Sequence, residues 1–304
     1  MENEPAGSAT CRRRTPLVVK LYWGAGGLLL SALLGIGLSL LHWGAAIQSG
    51  TASYPDSPAN CSLFGSPGRG GKHAVRTRKG QRYTVVTPSN YRADQAHPLL
   101  LVLAPAGFGA ALSERLSGLT QFATSEGFVV AYANSMMGTV QRVKITLLGE
   151  IAEDVVGQWC IDARQIFLAG HSDGATAALA LTLDIPMTPR PAALLLSGAG
   201  WTVPELEKVG CAAPTPVLIA HGSQDRHFPS YGKPLAQWFA TCNRCKSYGV
   251  SDENGCTQFF GCAAETMYCE TPRNHWRWAI DPAPAIRFLA LQRQRLGSLP
   301  ARRG

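Results

Sequence analysis

The sequence predicts an α/β fold in which a mostly parallel β-sheet carries helices on both faces. Short, continuous apolar runs are typical of strands buried on both faces. Such runs occupy residues 98–104, 128–132, 165–170, 192–197 and 216–221, after an alternating strand at 82–87. Helical patterns lie between or after them, at 110–126, 146–159, 175–183, 231–241 and 282–293. Alternating strands and helices predict crossover connections, and therefore parallel strands.

The composition excludes several classes of protein. Of the 304 residues, 46% are apolar and 16% are charged, which is too apolar and too weakly charged for a disordered chain. The net charge is +8, and the clearest basic stretch runs from Arg69 to Arg82. Because charged runs usually lie on solvated faces, we interpret this stretch as a loop before the first strand. No nucleic-acid motif accompanies it, so we expect no nucleic-acid partner.

The N-terminal 80 residues are predicted to lie outside the folded domain. Residues 21–41 carry no charge and could span a bilayer as a helix, after a cationic segment at 1–20. This order predicts a cytoplasmic N-terminus, a transmembrane signal anchor in the membrane, and a catalytic domain in the periplasm or outside the cell. The alternative is a signal peptide cleaved after 44–46, which would give a secreted protein. The remaining divisions are a linker at 42–80, a catalytic domain at 81–295 and a tail at 296–304.

Nine cysteines favour an oxidising compartment. Cys11 precedes the predicted span. Eight cysteines follow the span, and this even number predicts up to four disulfides. These cysteines are Cys61, Cys160, Cys211, Cys242, Cys245, Cys256, Cys262 and Cys269. The sequence leaves their pairing open. Zinc is the alternative because Cys242 and Cys245 form a CxxC pair, but no second pair has the spacing of zinc ligands. We expect neither a metal nor a cofactor.

One short motif carries the predicted chemistry. Gly170-His171-Ser172-Asp173-Gly174 matches G-x-S-x-G and lies between an apolar run and a helix of small residues. A strand, a tight turn and a helix in this order are typical of a nucleophile elbow. The flanking glycines leave room for the turn, which holds the serine hydroxyl out of the sheet edge. We therefore predict Ser172 as the nucleophile.

The serine needs a base, and the base needs an orienting carboxylate. With a nucleophile elbow, these residues follow in the order Ser, Asp, His. Asp225 comes after a buried strand and a glycine turn, where the acid is expected. His227 is too close to Asp225 in sequence to bridge it to the serine. His275 lies in a loop before the last predicted helix, so we predict Asp225 as the acid and His275 as the base.

The oxyanion hole needs two backbone N–H groups. One is predicted at Asp173, directly after the nucleophile. The other should come from the loop after the strand at 98–104, where Pro105 has no N–H to donate. Ala106 and Gly107 remain as candidates, and we choose Ala106.

Together, these segments resemble the esterase/polyhydroxybutyrate-depolymerase family of α/β-hydrolases, which includes feruloyl and acetyl-xylan esterases. The matching segments are 83–88, 98–103, 161–174, 216–225, 261–262 and 275–276. The resemblance implies an α/β-hydrolase fold and the roles already assigned to Ser172, Asp225 and His275. The sequence departs from the family in two places. Ala104-Pro105 stands where a His-Gly pair is usual, and Arg273-Asn274 precedes the histidine where glycines are usual.

The resulting hypothesis is an exported or membrane-anchored serine esterase, similar to polyhydroxybutyrate depolymerases, that acts through an acyl-enzyme. Its partner would be a small or polymeric ester, and we expect a monomer. Alternatives with the same machinery are a feruloyl or acetyl-xylan esterase, a lipase or a peptidase. A non-catalytic binding protein on a hydrolase fold is the alternative from another class. Phe108, Trp276 and Trp278 are candidates for either the substrate pocket or the core.

Overall fold

The computed structural model describes residues 48–51, 68–135, 142–246, 249–252 and 255–297. Its strands are β1 (Lys72–Arg76), β2 (Arg82–Val86), β3 (His97–Leu103), β4 (Val129–Ala133), β5 (Ile161–His171), β6 (Ala193–Ser197), β7 (Val217–Gly222), β8 (Cys256–Gln258) and β9 (Thr266–Thr271). Its helices are α1 (Ala110–Ser117), α2 (Leu119–Ser125), α3 (Arg142–Gln158), α4 (Asp173–Leu183), α5 (Val203–Val209), α6 (Gly232–Cys242) and α7 (Pro282–Gly297).

All these strands belong to one sheet, in the order β1-β2-β4-β3-β5-β6-β7-β9-β8. The six strands from β4 to β9 in that order are parallel, and antiparallel strands flank them on both sides. The predicted α/β fold with a mostly parallel sheet is therefore confirmed. The carboxyl ends of the parallel strands form one edge, which is where ligands bind in sheets of this kind.

The apolar runs form the buried centre of the sheet. All seven residues of β3 are buried. Leu99, Leu101 and Leu103 pack into one core cluster with side chains of α3, α4 and α6. Leu100 and Val102 pack into the other cluster with side chains of α1, α2 and α7. Because helices cover both faces, the strand has no solvated side and its sequence does not alternate.

The single helix predicted at 110–126 is wrong. The structure contains two helices there, α1 and α2, separated by Gly118. Gly118 has a φ of +63°, a left-handed conformation that favours glycine and ends a helix. The chain changes direction at this residue, which the apolar periodicity alone does not reveal.

The folded domain begins earlier than the predicted boundary at residue 81. Strand β1 lies inside the predicted linker at 42–80 and pairs with β2. The basic stretch is therefore not a loop, because Lys72 and Arg76 belong to β1 and Arg82 begins β2. The exposed faces of this edge hairpin explain its polar sequence. At the other end, α7 continues to Gly297, two residues into the predicted tail.

The sheet edge at β9 and β8 is held by disulfides. Among the described residues, Cys211 bonds to Cys242, Cys245 to Cys262, and Cys256 to Cys269. Cys160 is also disulfide-bonded. The two cysteines of the CxxC pair are thus oxidised in different disulfides and offer no thiolate pair to zinc. These disulfides are compatible with an extracytoplasmic location.

The transmembrane signal anchor predicted at 21–41 needs correction. Within the part of the chain that the structure describes, no helix has both the length and the apolar character required to cross a bilayer. We therefore withdraw the anchor and the membrane contact through it. The segment itself lies outside the described residues, as do the rest of 1–47 and the tail from 298 onward.

Candidate active site

Ser172 occupies the turn between β5 and α4, at the carboxyl edge of the sheet. Its φ is +54°, an uncommon conformation for a residue with a side chain. An added Cβ at Gly170 would lie 2.3 Å from the backbone carbonyl carbon of Gly174. One at Gly174 would lie 2.0 Å from the carbonyl oxygen of Leu103. The two glycines therefore permit the close approach that the predicted elbow requires.

The structure brings the three predicted triad residues together. The Oγ of Ser172 lies 2.7 Å from Nε2 of His275. The Nδ1 of His275 lies 2.7 Å from Oδ2 of Asp225. The other carboxylate oxygen of Asp225 accepts backbone N–H bonds from His227 and Phe228, at 2.8 and 2.9 Å. Both carboxylate oxygens are thus occupied, and the imidazole is held with one nitrogen facing the serine.

The loop that carries His275 is clamped at two points. The Nε2 of His171 lies 2.7 Å from the backbone carbonyl oxygen of His275. Because a carbonyl only accepts, this nitrogen of His171 donates. In the neutral ring, Nδ1 then accepts from the hydroxyl of Ser197, 3.0 Å away. The oxygen of Ser197 also accepts the N–H of Ala279, at 2.9 Å. His171 and Ser197 together hold both ends of the segment 275–279.

Arg273 makes further contacts that fix the base loop, one of them against the acid loop. The backbone of Arg273 passes so close to Gly222 that an added Cβ there would lie 2.1 Å from the Arg273 carbonyl oxygen. The guanidinium of Arg273 donates to the carbonyl of Trp278 at 2.7 Å and to Asp281 at 2.6 Å. Arg273, one of the departures from the family pattern, therefore closes the loop upon itself. We did not predict these contacts, or the clamp, from the sequence.

The electrostatics of the site favour an ionised carboxylate next to neutral imidazoles. Burial opposes ionisation of Asp225, but hydrogen bonds from His275, Phe228 and His227 outweigh it and lower its pKa to about 2. Burial and the nearby His275 lower the pKa of His171 to about 4. Burial likewise lowers the pKa of His221 and His227. At neutral pH the charge of Asp225 therefore acts on His275, its hydrogen-bonded partner.

One of the two predicted oxyanion donors begins α4, and the other lies in the loop after β3. Asp173 is the first residue of α4, so its N–H has no acceptor within the helix. In the loop after β3, the N–H of Phe108 donates to the carbonyl of Pro105. The N–H of Gly107 donates to the hydroxyl of Ser135 at 3.0 Å, and no such acceptor occurs for Ala106 among the described residues. Of the two candidates, Ala106 keeps its donor available.

A small pocket of about 30 Å³ adjoins Asp173 on the β4 side of the serine. Its lining includes Ala104, Asn134, Ser135, Lys144, Asp173 and Gly174. Aromatic groups surround His275 on the other side: the ring centroid of Phe228 lies 5.0 Å away and that of His227 lies 4.7 Å away. Of the tryptophans considered for the pocket, Trp276 is 75% exposed, whereas Trp278 is buried in the core.

Comparison with known proteins supports the architecture but not a family. No family model matches the sequence, and no curated protein matches it. Among solved structures, an acetyl xylan esterase from Aspergillus awamori is similar, with a TM-score of 0.57 and 12% identity over 72% of this chain and 99% of that one. FphF, a fluorophosphonate-binding serine hydrolase from Staphylococcus aureus, has a TM-score of 0.50 and 12% identity over 75% of this chain and 99% of that one.

The fold is that of the α/β-hydrolases. The mostly parallel sheet and the two structural likenesses establish it. At this level of identity, likeness to an esterase shows the hydrolase fold and nothing about substrate. The polyhydroxybutyrate-depolymerase resemblance therefore finds support at the level of the fold, and its finer part stays a prediction.

Proposed function

We propose that the protein is a serine hydrolase that cleaves carboxylic esters through Ser172, His275 and Asp225. One observation carries the proposal: two 2.7 Å contacts join hydroxyl, imidazole and carboxylate in series at a strained nucleophile elbow. A serine in such a relay has a base placed to take its proton. The fold alone would not support this conclusion, because hydrolase folds also serve other functions.

The proposed reaction follows from this arrangement. The Oγ of Ser172 attacks the ester carbonyl carbon while Nε2 of His275 takes its proton. The tetrahedral intermediate collapses, the alcohol leaves with the proton from His275, and the acyl group stays on the serine. Water, activated by the same imidazole, then attacks the acyl-enzyme and releases the acid. Asp225 stabilises the imidazolium that forms in both halves and fixes the orientation of its ring.

The backbone N–H groups of Asp173 and Ala106 are proposed to stabilise the negative oxygen of the intermediate. The unused donor of Ala106 and the orphan donor at the start of α4 support this role. Ala104-Pro105 does not remove the donor, because the turn that follows still presents Ala106.

We further propose that the enzyme acts outside the cytoplasm, and the disulfides support this location. Cleavage of polyhydroxybutyrate rests on the sequence resemblance alone. Feruloyl and acetyl-xylan esters are the alternatives, and the similar acetyl xylan esterase does not decide between them at 12% identity.

The test uses the full chain in its oxidised form. A fluorophosphonate probe should label Ser172, located by peptide mass spectrometry, and a short p-nitrophenyl ester should be turned over. Ser172→Ala should lose labelling and about 10⁶-fold in kcat, because the nucleophile is gone. Ser125→Ala is the matched control, since the hydroxyl of this exposed serine on α2 donates to the carbonyl of Phe122 in its own helix.

Labelling at another residue, or turnover retained in Ser172→Ala, would refute the mechanism. A folded wild-type chain with neither labelling nor turnover would favour the non-catalytic binding protein instead.

A further inference from the structure

Two arginines face each other on the hairpin of β1 and β2. The antiparallel register places Arg76 directly opposite Arg82, so their side chains share one face of the sheet. Like charges in this position are destabilising. Both side chains are exposed, and no carboxylate lies within ion-pair distance of either among the described residues.

Of the carboxylates near this hairpin, Asp154 accepts from the hydroxyl of Tyr83, and two others are paired with lysines. Glu114 accepts from Lys72 at 2.5 Å, and Glu150 from Lys79 at 2.5 Å. Arg76 and Arg82 therefore form a concentrated positive charge with no neutralising partner in the described part of the chain. A planar guanidinium pair of this kind matches carboxylate and phosphate geometry.

The two arginines line an open groove of about 380 Å³, a size that suits a small organic ligand. Thr84 and Asn134 also line it. Asn134 also lines the pocket that contains Asp173, so this one residue borders both depressions. The N–H of Asn134 donates to the carbonyl of Arg82 at 3.0 Å, which places Arg82 at the carboxyl edge of the sheet.

The position of the groove indicates which part of an ester would occupy it. The base lies on the β7–β9 side of Ser172, and the leaving alcohol must be there to receive its proton. The groove lies on the opposite side, beyond β3 and β4. The acyl part therefore points towards it. Arg82 begins a strand three steps from β5, a distance of about 14 Å.

We propose that Arg76 and Arg82 bind an anionic group, a carboxylate or phosphate, at the far end of the acyl chain. The inference rests on the proposed function. It assigns as substrates esters of long acids whose free end is negatively charged and reaches past the three inter-strand steps, about 14 Å, that separate β5 from β2. The groove selects the substrate and takes no part in bond cleavage.

The experiment compares two probes with the same acyl chain. One is the mono-p-nitrophenyl ester of a linear dicarboxylic acid long enough to span about 14 Å, with a free carboxylate. The other has that carboxylate methylated. We expect kcat/KM to favour the anionic probe by at least about 10-fold at low salt, and the preference to shrink as ionic strength rises.

In Arg76→Gln/Arg82→Gln the ratio of the two kcat/KM values should fall by about 10-fold. Arg69→Gln/Arg78→Gln is the matched control, because it removes the same charge from exposed positions outside the groove and should keep the wild-type ratio. Thermal unfolding verifies that both variants fold.

Turnover of the neutral probe with no anionic preference in wild type, or a preference that survives in Arg76→Gln/Arg82→Gln, would overturn the inference and leave the proposed function intact. Equal loss of preference in the control would also overturn it, since net charge would then be the cause. If wild type turns over neither probe and Ser172 is not labelled, the proposed function fails, and the inference fails with it.

Discussion

The two halves of the candidate site are held by different forces. On the nucleophile side, Ser172 is fixed by steric contact at two glycines, each within two residues of it. On the base side, hydrogen bonds hold His275 to His171 and to Asp225, which are 104 and 50 residues away in sequence. A short motif thus specifies the nucleophile, whereas the base depends on distant elements reaching their positions. Mutations on the two sides should consequently differ in what they damage.

On the base side, the largest effect is expected from removal of one charge. Asp225→Asn keeps the size of the side chain but lets its amide donate to the imidazole, which favours the wrong tautomer. We expect kcat for a p-nitrophenyl ester to fall by about 10⁴-fold, with near-UV circular dichroism unchanged. Asp94→Asn, an exposed carboxylate that pairs with Arg92, is the control. Near-normal turnover in Asp225→Asn would show that the acid is not required.

On the nucleophile side, mutation of a glycine should lower the stability of the fold. Gly174→Ala places a methyl group 2.0 Å from the carbonyl oxygen of Leu103, and neither backbone can yield without moving β3 or α4. We expect a loss of about 3 kcal/mol or more in the free energy of unfolding, measured with urea.

Gly157→Ala is the matched helical control, because an added Cβ there meets nothing within 4 Å. It should stabilise the protein by up to about 1 kcal/mol. Equal stability of the two variants would contradict the steric account of the elbow.

This contrast also explains which parts of the fold and of the site could be predicted from the sequence. The central strands and the turn at Ser172 depend on local patterns, and the structure contains them where they were predicted; it also brings Ser172, Asp225 and His275 together. The sequence left two candidates for the second oxyanion donor, Ala106 and Gly107. The structure favours Ala106, because the N–H of Gly107 already donates to Ser135. The clamp by His171 and Ser197 could not be predicted, because it joins segments that no local pattern connects.

The elements that were not predicted were missed for identifiable reasons. Strand β1 lies at an exposed edge and is rich in cations, so it resembles a linker. Strands β8 and β9 are short or contain polar residues, and disulfides rather than an apolar run secure them. The break at Gly118 depends on its left-handed backbone, which apolar periodicity does not encode.

A smaller effect is expected from the clamp. His171→Ala removes the donor to the His275 carbonyl, so the base should sample more orientations without losing its contact with Asp225. We expect kcat to fall by about 10-fold with little change in KM, since the donor orients the base and does not bind substrate. His171→Gln can still donate through its amide and should recover part of the loss. A change in KM alone would show that His171 contributes to substrate binding instead.

His171 should also affect how the free energy of unfolding depends on pH. Its pKa is about 4 in the folded protein against 6.5 for a free histidine, so the unfolded chain binds the proton more readily. The stabilisation is complete above pH 6.5 and is lost as the pH falls towards 4. Urea unfolding should show wild type losing about 3 kcal/mol more than His171→Gln across that interval. Parallel curves would show that His171 is not held neutral.

The disulfides between residues 211 and 269 bear on the timing of maturation. All three lie in the part of the chain around the acid and before the base, and none reaches the elbow. A newly made chain that folded before oxidation would keep the hydrogen bonds that hold the base loop, but β8 and β9, the strands that precede this loop, would lack their covalent cross-link.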